Sequence, residues 1–230
     1  MKTYAVLTGD LVQSSRLEAG LLDELIDWLK TLCRDFGELH PDALVGELDV
    51  FRGDSWQLCL QEPALALKAA VYMRAGLKAH PSRQNADTRI GLGLGPVDTL
   101  QTDRISESGG EAFVLSGAAL DSLADEDLRL RLAAVQGMTQ ADWLDGIVLP
   151  LLDLQITSWT HPESVAVYGA LRGWTQEETA RHALAVKPDG KSPTRQSIAD
   201  ALKRVCWHSH LLPVLERARS FIAPAPPVPA

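Results

Sequence analysis

Two acidic residues stand where a folded chain ordinarily has no use for a charge. Asp10 closes the short apolar run YAVLTGD (residues 4 to 10), and Asp54 follows Gly53 between two apolar runs in VFRGDSWQL (50 to 58). If the first run pairs beside that hairpin, both carboxylates converge at one sheet edge. Hard cations such as Mg2+ or Mn2+ prefer carboxylate oxygens there and keep waters for substrate phosphates, and two such ions clamp the attacking and leaving oxygens of a phosphoryl transfer. The plainer use is backbone chemistry: Asp10 as a loop or helix cap, and Gly-Asp as a two-residue turn whose residues tolerate positive φ.

The elements that must position these acids are legible from periodicity. After the first strand, Leu21, Leu22, Leu25, Trp28, Leu29 and Leu32 recur at helical spacing. ALVGELDVF and SWQLCL read as strands around the Gly53-Asp54 turn, and a second helix follows, opened by Pro63 and closed near Pro81. TRIGLGLGPV alternates with period two, Ile90, Leu92 and Leu94 on one face and Gly91, Gly93 and Gly95 on the other. These glycines lie within a strand, so they are no dinucleotide fingerprint. Three on one face imply a backbone, ligand or partner in close approach. A helix over GEAFVLSGAALDSL and a strand over LRLRLAAV complete the order βαββαβαβ, an α+β domain with a mixed or antiparallel sheet and helices on one side.

LTGDLVQSS, FRGDSWQL, PALALKAAVYMRAGL and TRIGLGLGPV together resemble the class III nucleotidyl cyclase domain, with its ferredoxin-like palm, and resemble still more the bacterial SatD-like family, which joins such a palm to a C-terminal helix-turn-helix. The resemblance spans most of residues 3 to 123. It implies a cyclase-like palm over 1–138, with Asp10 and Asp54 as the metal aspartates for Mg2+ or Mn2+ and nucleotide contacts from Gly9, Leu11, Arg52, Gly53, Arg89 and Glu107. The departures carry equal weight. Val114 and Ala118 stand where cyclases place the Asn and Arg that position the ribose and neutralise the transferred phosphate, and Leu48 stands near the base-selecting Lys, leaving Glu107 as its acidic partner. Losing preorganised charge costs orders of magnitude in rate. Arg52, Arg89 or Arg104 would have to supply the missing positive charge.

From about Gln140 the chain reads as helix after helix: a connecting helix over 139–158, an all-α (winged) helix-turn-helix over 159–222 and a Pro-rich, disordered tail over 223–230. Gly173 ends one helix, and Thr175 with Glu178 three residues on forms a capping box, with Ala180 as the small residue at the helix crossing. SPTRQSIADALKRV reads as a recognition helix, Ile198 and Leu202 inward, with Thr194, Arg195, Gln196, Lys203 and Arg204 facing DNA. AVKPDGKS is long for the turn of such a motif, and its Lys187 and Lys191 would touch the backbone. His208 and His210, two apart, do not share a helix face, and Trp207 with Leu211, Leu212 and Leu215 reads as a packing seam.

Charge is also unevenly distributed along the chain. Of the 22 Lys/Arg and 30 Asp/Glu in 230 residues, 9 and 6 lie from residue 155 onward, net +3, leaving 13 and 24 before it, net −11. Three scattered cysteines without CxxC spacing indicate neither a disulfide framework nor a zinc site, and no signal peptide or membrane span is legible. The expectation is a cytoplasmic, homodimeric regulator: a palm binding a metal and nucleotide, catalytically degenerate, coupled to a DNA-binding output. The alternatives are an active nucleotidyl cyclase or other nucleotidyltransferase, and a dimeric interaction scaffold.

Overall fold

The computed structural model describes residues 2–81, 86–124, 126–183 and 192–222. Its first part runs β1 (Tyr4–Leu11), α1 (Ala19–Leu39), β2 (Leu44–Phe51), β3 (Ser55–Leu60), α2 (Ala66–Lys78), β4 (Thr88–Gly95), α3 (Glu111–Asp121) and β5 (Leu130–Ala134), the order that the periodicity predicts. The strands form one mixed sheet in the order β2-β3-β1-β4-β5, antiparallel throughout except for the parallel pair β4–β5. Parallel neighbours need a crossover, and α3 supplies it.

Alternation along the strands sorts the two faces. Ala5, Leu7, Leu58, Leu60, Ile90, Leu92, Leu94 and Leu132 join Leu25, Leu29, Leu32 and most of α2 in one apolar core. Val6 and Cys59 point the other way and meet Ala112 and Phe113 of α3. The helices therefore do not lie on one side as expected: α1 and α2 cover one face and α3 covers part of the other. The glycines of β4 are the reason. A Cβ on Gly93 would lie 2.5 Å from the Ser116 nitrogen and closer still to the Ala112 carbonyl, while one on Gly91 would strike Ser116 and Leu120. Helix backbone seats directly on the strand, so the glycine face is filled from within the chain and is not a bare surface awaiting a partner.

The hairpin differs from its expected form in the same physical terms. Three residues, Arg52 to Asp54, join β2 and β3, and positive φ falls on Arg52 (50°) and Gly53 (87°), not on Asp54. Asp54 is thus in the turn without being required for its positive φ.

Beyond residue 138 the described residues contain no strand, so no wing is seen. A short helix α4 (Thr139–Trp143) continues through a π-helical turn, Leu144–Val148, into α5 (Leu149–Ser158). Pro150 lacks an N–H and its ring crowds the carbonyl four residues earlier, which widens the turn before it. There follow α6 (His161–Leu171), α7 (Gln176–His182), α8 (Arg195–Arg204) and α9 (Leu212–Ile222). Between α8 and α9 the backbone turns at Cys206, where φ is 52°. Trp207, Leu211 and Leu215 are buried beyond this turn and Leu212 packs against them, as the seam predicts.

One core runs from Ala5 to Ile222, because α2 packs on α6 and α9 as well as on the sheet. A buried ionic cluster reinforces that junction. Arg74, fully buried in α2, donates Nε and Nη2 to both oxygens of Asp87 at 2.9 and 2.8 Å, Nη1 to Asp153 of α5, and Nη2 to Thr157 at 3.0 Å. Arg129 donates its guanidinium to Asp87 and its backbone N–H to Asp153 at 2.7 Å. The expected connecting helix is thereby tied to the start of β4, two residues before Arg89.

Candidate functional site

The register of β1 decides what Asp10 can do. Across the sheet it faces Ser55 on β3 and Arg89 on β4, so the residue beside the hairpin acid and a guanidinium arrive on either side of it. Its backbone is fixed by the buried Trp56: the indole N–H donates to the Thr88 hydroxyl at 3.0 Å, and that hydroxyl donates to the Asp10 carbonyl at 2.6 Å. Gly9 belongs to this packing, since a Cβ there would overlap the Trp56 ring.

Arg89 grips the Asp10 carboxylate with both prongs, Nε to Oδ1 at 2.9 Å and Nη2 to Oδ2 at 2.6 Å. Such a bidentate, charge-assisted pair is among the stronger polar contacts a protein makes. The hydrogen bonds to Asp10 push the Arg89 pKa up; burial opposes this, while the charges of Asp10 and Asp54 add to the rise. Asp54 therefore lies within electrostatic reach of the pair. Its carboxylate accepts from the Ser14 hydroxyl, and its carbonyl accepts the Leu11 N–H at 3.3 Å.

The structure thus brings Asp10, Asp54 and Arg89 to one sheet edge, together with Arg52 and Gly53 at the hairpin tip. Both oxygens of the Asp10 carboxylate accept from the Arg89 guanidinium, so a cation between Asp10 and Asp54 would have to share or displace that contact, and among the described residues no group of three His, Cys, Asp or Glu side chains could hold a metal ion. Leu11 is buried in the core with its N–H taken, and Gly9 is required by Trp56. Glu107 lies in a turn over β2, paired with Arg104 at 3.4 Å, in the same cluster as Asp49. Burial would raise the Asp49 pKa, but the Ser106 N–H and hydroxyl and Arg104 outweigh it and hold the carboxyl below its usual range. Val114 and Ala118 sit on the exposed side of α3, Val114 at 71% exposure, and neither offers a donor.

Between these clusters the sheet carries a polar relay that the sequence reading does not anticipate. Gln57 Nε2 donates to the Thr8 hydroxyl at 2.7 Å, Thr8 and Ser116 hydroxyls lie 2.7 Å apart, and Ser116 donates to the Phe113 carbonyl at 3.0 Å. All three side chains are buried. The relay fastens α3 to β1 and β3 below Asp10.

The helical end assembles the other expected residues. Gly173 ends α6 with φ 76°, and Thr175 and Glu178 form the capping box of α7. The closest crossing is Gly169 against Thr179, a Cβ on the glycine being blocked by that threonine, while Ala180 packs beside it. On α8, Ile198, Ala201 and Leu202 are buried, whereas Arg195, Gln196 and Lys203 are exposed. Thr194 is occupied as the N-cap with Ser197, and Arg204 donates to Glu163 at 2.8 Å, so neither stands free. Asp200, exposed on the same helix, accepts from Gln196 at 3.0 Å. Lys187 and Lys191 lie outside the described residues. His208 and His210 are exposed, and Cys33 and Cys59 are buried thiols pushed up to about 11 and about 12 chiefly by burial. No helix is long and apolar enough to cross a membrane among the described residues.

No protein-family model matches the chain, and no curated protein matches it. Among solved structures it is similar to a bacterial light-regulated adenylyl cyclase (15% identity, TM-score 0.43, 56% of this chain and 74% of that one). It is similar also to the adenylyl cyclase CyaB from P. aeruginosa (16%, 0.44, 64% and 82%) and to the guanylyl cyclase Cya2 (17%, 0.39, 52% and 70%).

Proposed function

We propose that the chain is a regulator whose palm binds a small anionic ligand, a nucleotide being the class that the sequence resemblance implies, without performing cyclase chemistry, and whose α6–α8 unit binds DNA. The observation that carries the reading is the Arg89–Asp10 pair. An internal guanidinium takes the place a metal would need, while Arg52 at the hairpin tip remains exposed for an anion. Support for the output comes from α8, where Arg195, Gln196 and Lys203 project from a helix whose opposite face is buried. Coupling has a physical route, because Asp87, immediately before β4, lies two residues from Arg89 and shares Arg74 with Asp153 on α5. A ligand that moves Arg89 acts on the strand that carries this cluster.

The test has two arms. Thermal melts with nucleotides should show stabilisation that does not require magnesium. Duplex binding should weaken as salt rises, and Arg195→Ala should reduce affinity about tenfold. No duplex binding at low salt, or an unaltered affinity in Arg195→Ala, overturns the DNA assignment. Metal-dependent turnover of a nucleoside triphosphate that is lost in Asp10→Ala and Asp54→Ala would replace the reading with an active nucleotidyltransferase.

A further inference from the structure

The α4–α5 segment buries Leu144, Leu149, Leu152, Asp153 and Ile156 and leaves its other side apolar as well. From Trp143 to Leu154 the exposed residues are Trp143, Gly146, Ile147, Leu151 and Leu154, with Trp143 and Ile147 about half exposed and Leu151 and Leu154 at 67% and 69%. Phe221 of α9 extends the stripe at one end, its ring edge-on to Trp143 with centroids 6.0 Å apart. A surface helix normally places polar side chains opposite its buried face. This one places none there over about 16 Å.

We propose that this stripe is the contact surface for a second copy of the chain, packed as an antiparallel pair of α4–α5 segments about a two-fold axis. Three observations select that occupant. The large exposed residues fall at i, i+4, i+8 and i+11, nearly symmetric about a point between Ile147 and Leu151, so reversal sets Trp143 against Leu154 and Ile147 against Leu151. A two-fold contact needs such self-complementarity. The stripe carries no exposed charge, whereas the first 154 residues are net −11, so nothing on it selects a charged partner and its best match is a face equally free of charge. Its apolar area is roughly 500 Å2, at the upper range for a patch left bare on a monomer, and more than half of the ~800 Å2 that each partner gives to a stable interface. Gly146, at which a Cβ would meet nothing, lets the partner's backbone come close near the middle. The expected homodimer is thereby assigned to a surface away from the glycine strand.

Sedimentation equilibrium of the full chain tests this. The expected result is a dimer with a dissociation constant of about 10 µM or tighter that strengthens as salt rises, since screening reduces repulsion between two acidic chains. Leu151→Glu, at an exposed position, should leave the melting temperature of the monomer unchanged and weaken the dimer at least ~100-fold, because both copies lose the contact. Mixing Ile147→Glu with Leu151→Lys should restore a heterodimer that neither variant forms alone, a result only the antiparallel pairing produces. A wild-type chain that stays monomeric overturns the proposal, as does a dimer that Leu151→Glu leaves intact. A dimer that forms only after residues 223–230 are removed also overturns it, because the stripe then belongs to the tail that follows Phe221.

Discussion

Replacing Arg74 by methionine is expected to destabilise the fold by about 3–5 kcal/mol, the usual consequence of leaving buried carboxylates without their cation. Asp87 and Asp153 are both buried, and Arg74 bonds to each. For a chain of this size the melting temperature should fall by roughly 10 °C or more. Lysine at the same position keeps a charge but loses the planar fork that reaches Asp87 twice, so Arg74→Lys should fall between wild type and Arg74→Met. The same cluster fixes the sign of the pH dependence. Burial alone would raise the Asp87 pKa, but Arg74 and Arg129 outweigh it and hold the carboxyl below the usual range. A carboxyl depressed in the folded chain contributes stability that is present above its unfolded pKa, near 4, and is lost as pH falls through the folded value. Acid titration of wild type should therefore show a loss of stability below about pH 4 that is much reduced in Asp87→Asn. If Arg74→Met melts within 2 to 3 °C of wild type, the cluster does not hold the palm to α5.

The second large effect belongs to β4. Gly93→Ala must drive a methyl group into the backbone of α3 at Ala112 and Ser116, and neither is a flexible side-chain end that could yield. Overpacking of this kind costs about 1–3 kcal/mol, and Gly93→Val should cost more, with α3 displaced from the sheet. Gly117 supplies the control. It lies on α3 with open space around it, so Gly117→Ala should stabilise by about 1 kcal/mol through helix propensity alone. Opposite signs for two glycine-to-alanine changes, read from thermal melts, would separate close approach from backbone freedom. Equal effects would show that α3 does not rest on the glycines.

What the sequence reveals and conceals follows from the range of the interactions. The alternation in TRIGLGLGPV, the helical spacing of Leu25, Leu29 and Leu32, and the Thr175-Glu178 box are local, and each predicts its element correctly. That glycines 91, 93 and 95 mark a close approach is also legible, but what approaches is α3, some twenty residues on, and only the fold reveals it. The pairing of Asp10 with Arg89 depends on strand register over 79 positions, which no local pattern encodes. Arg74 reads in sequence as a surface charge on an ordinary helix. The available signal was its setting, VYMRAGL, where every neighbour is apolar or small and the helix has no polar side to which a charge could escape. The C-terminal half reads as separate because its composition changes, yet it shares one apolar core with the palm.

The most direct test of the central claim, that Arg89 stands in the place of a metal at Asp10, is manganese binding measured by electron paramagnetic resonance on wild type and on Arg89→Met. Wild type should take up no stoichiometric ion below about 1 mM, whereas Arg89→Met, with the Asp10 carboxylate no longer held by a guanidinium, should gain a site at least tenfold tighter. Tight uptake of one ion by wild type, abolished in Asp10→Asn and no stronger in Arg89→Met, would contradict the account.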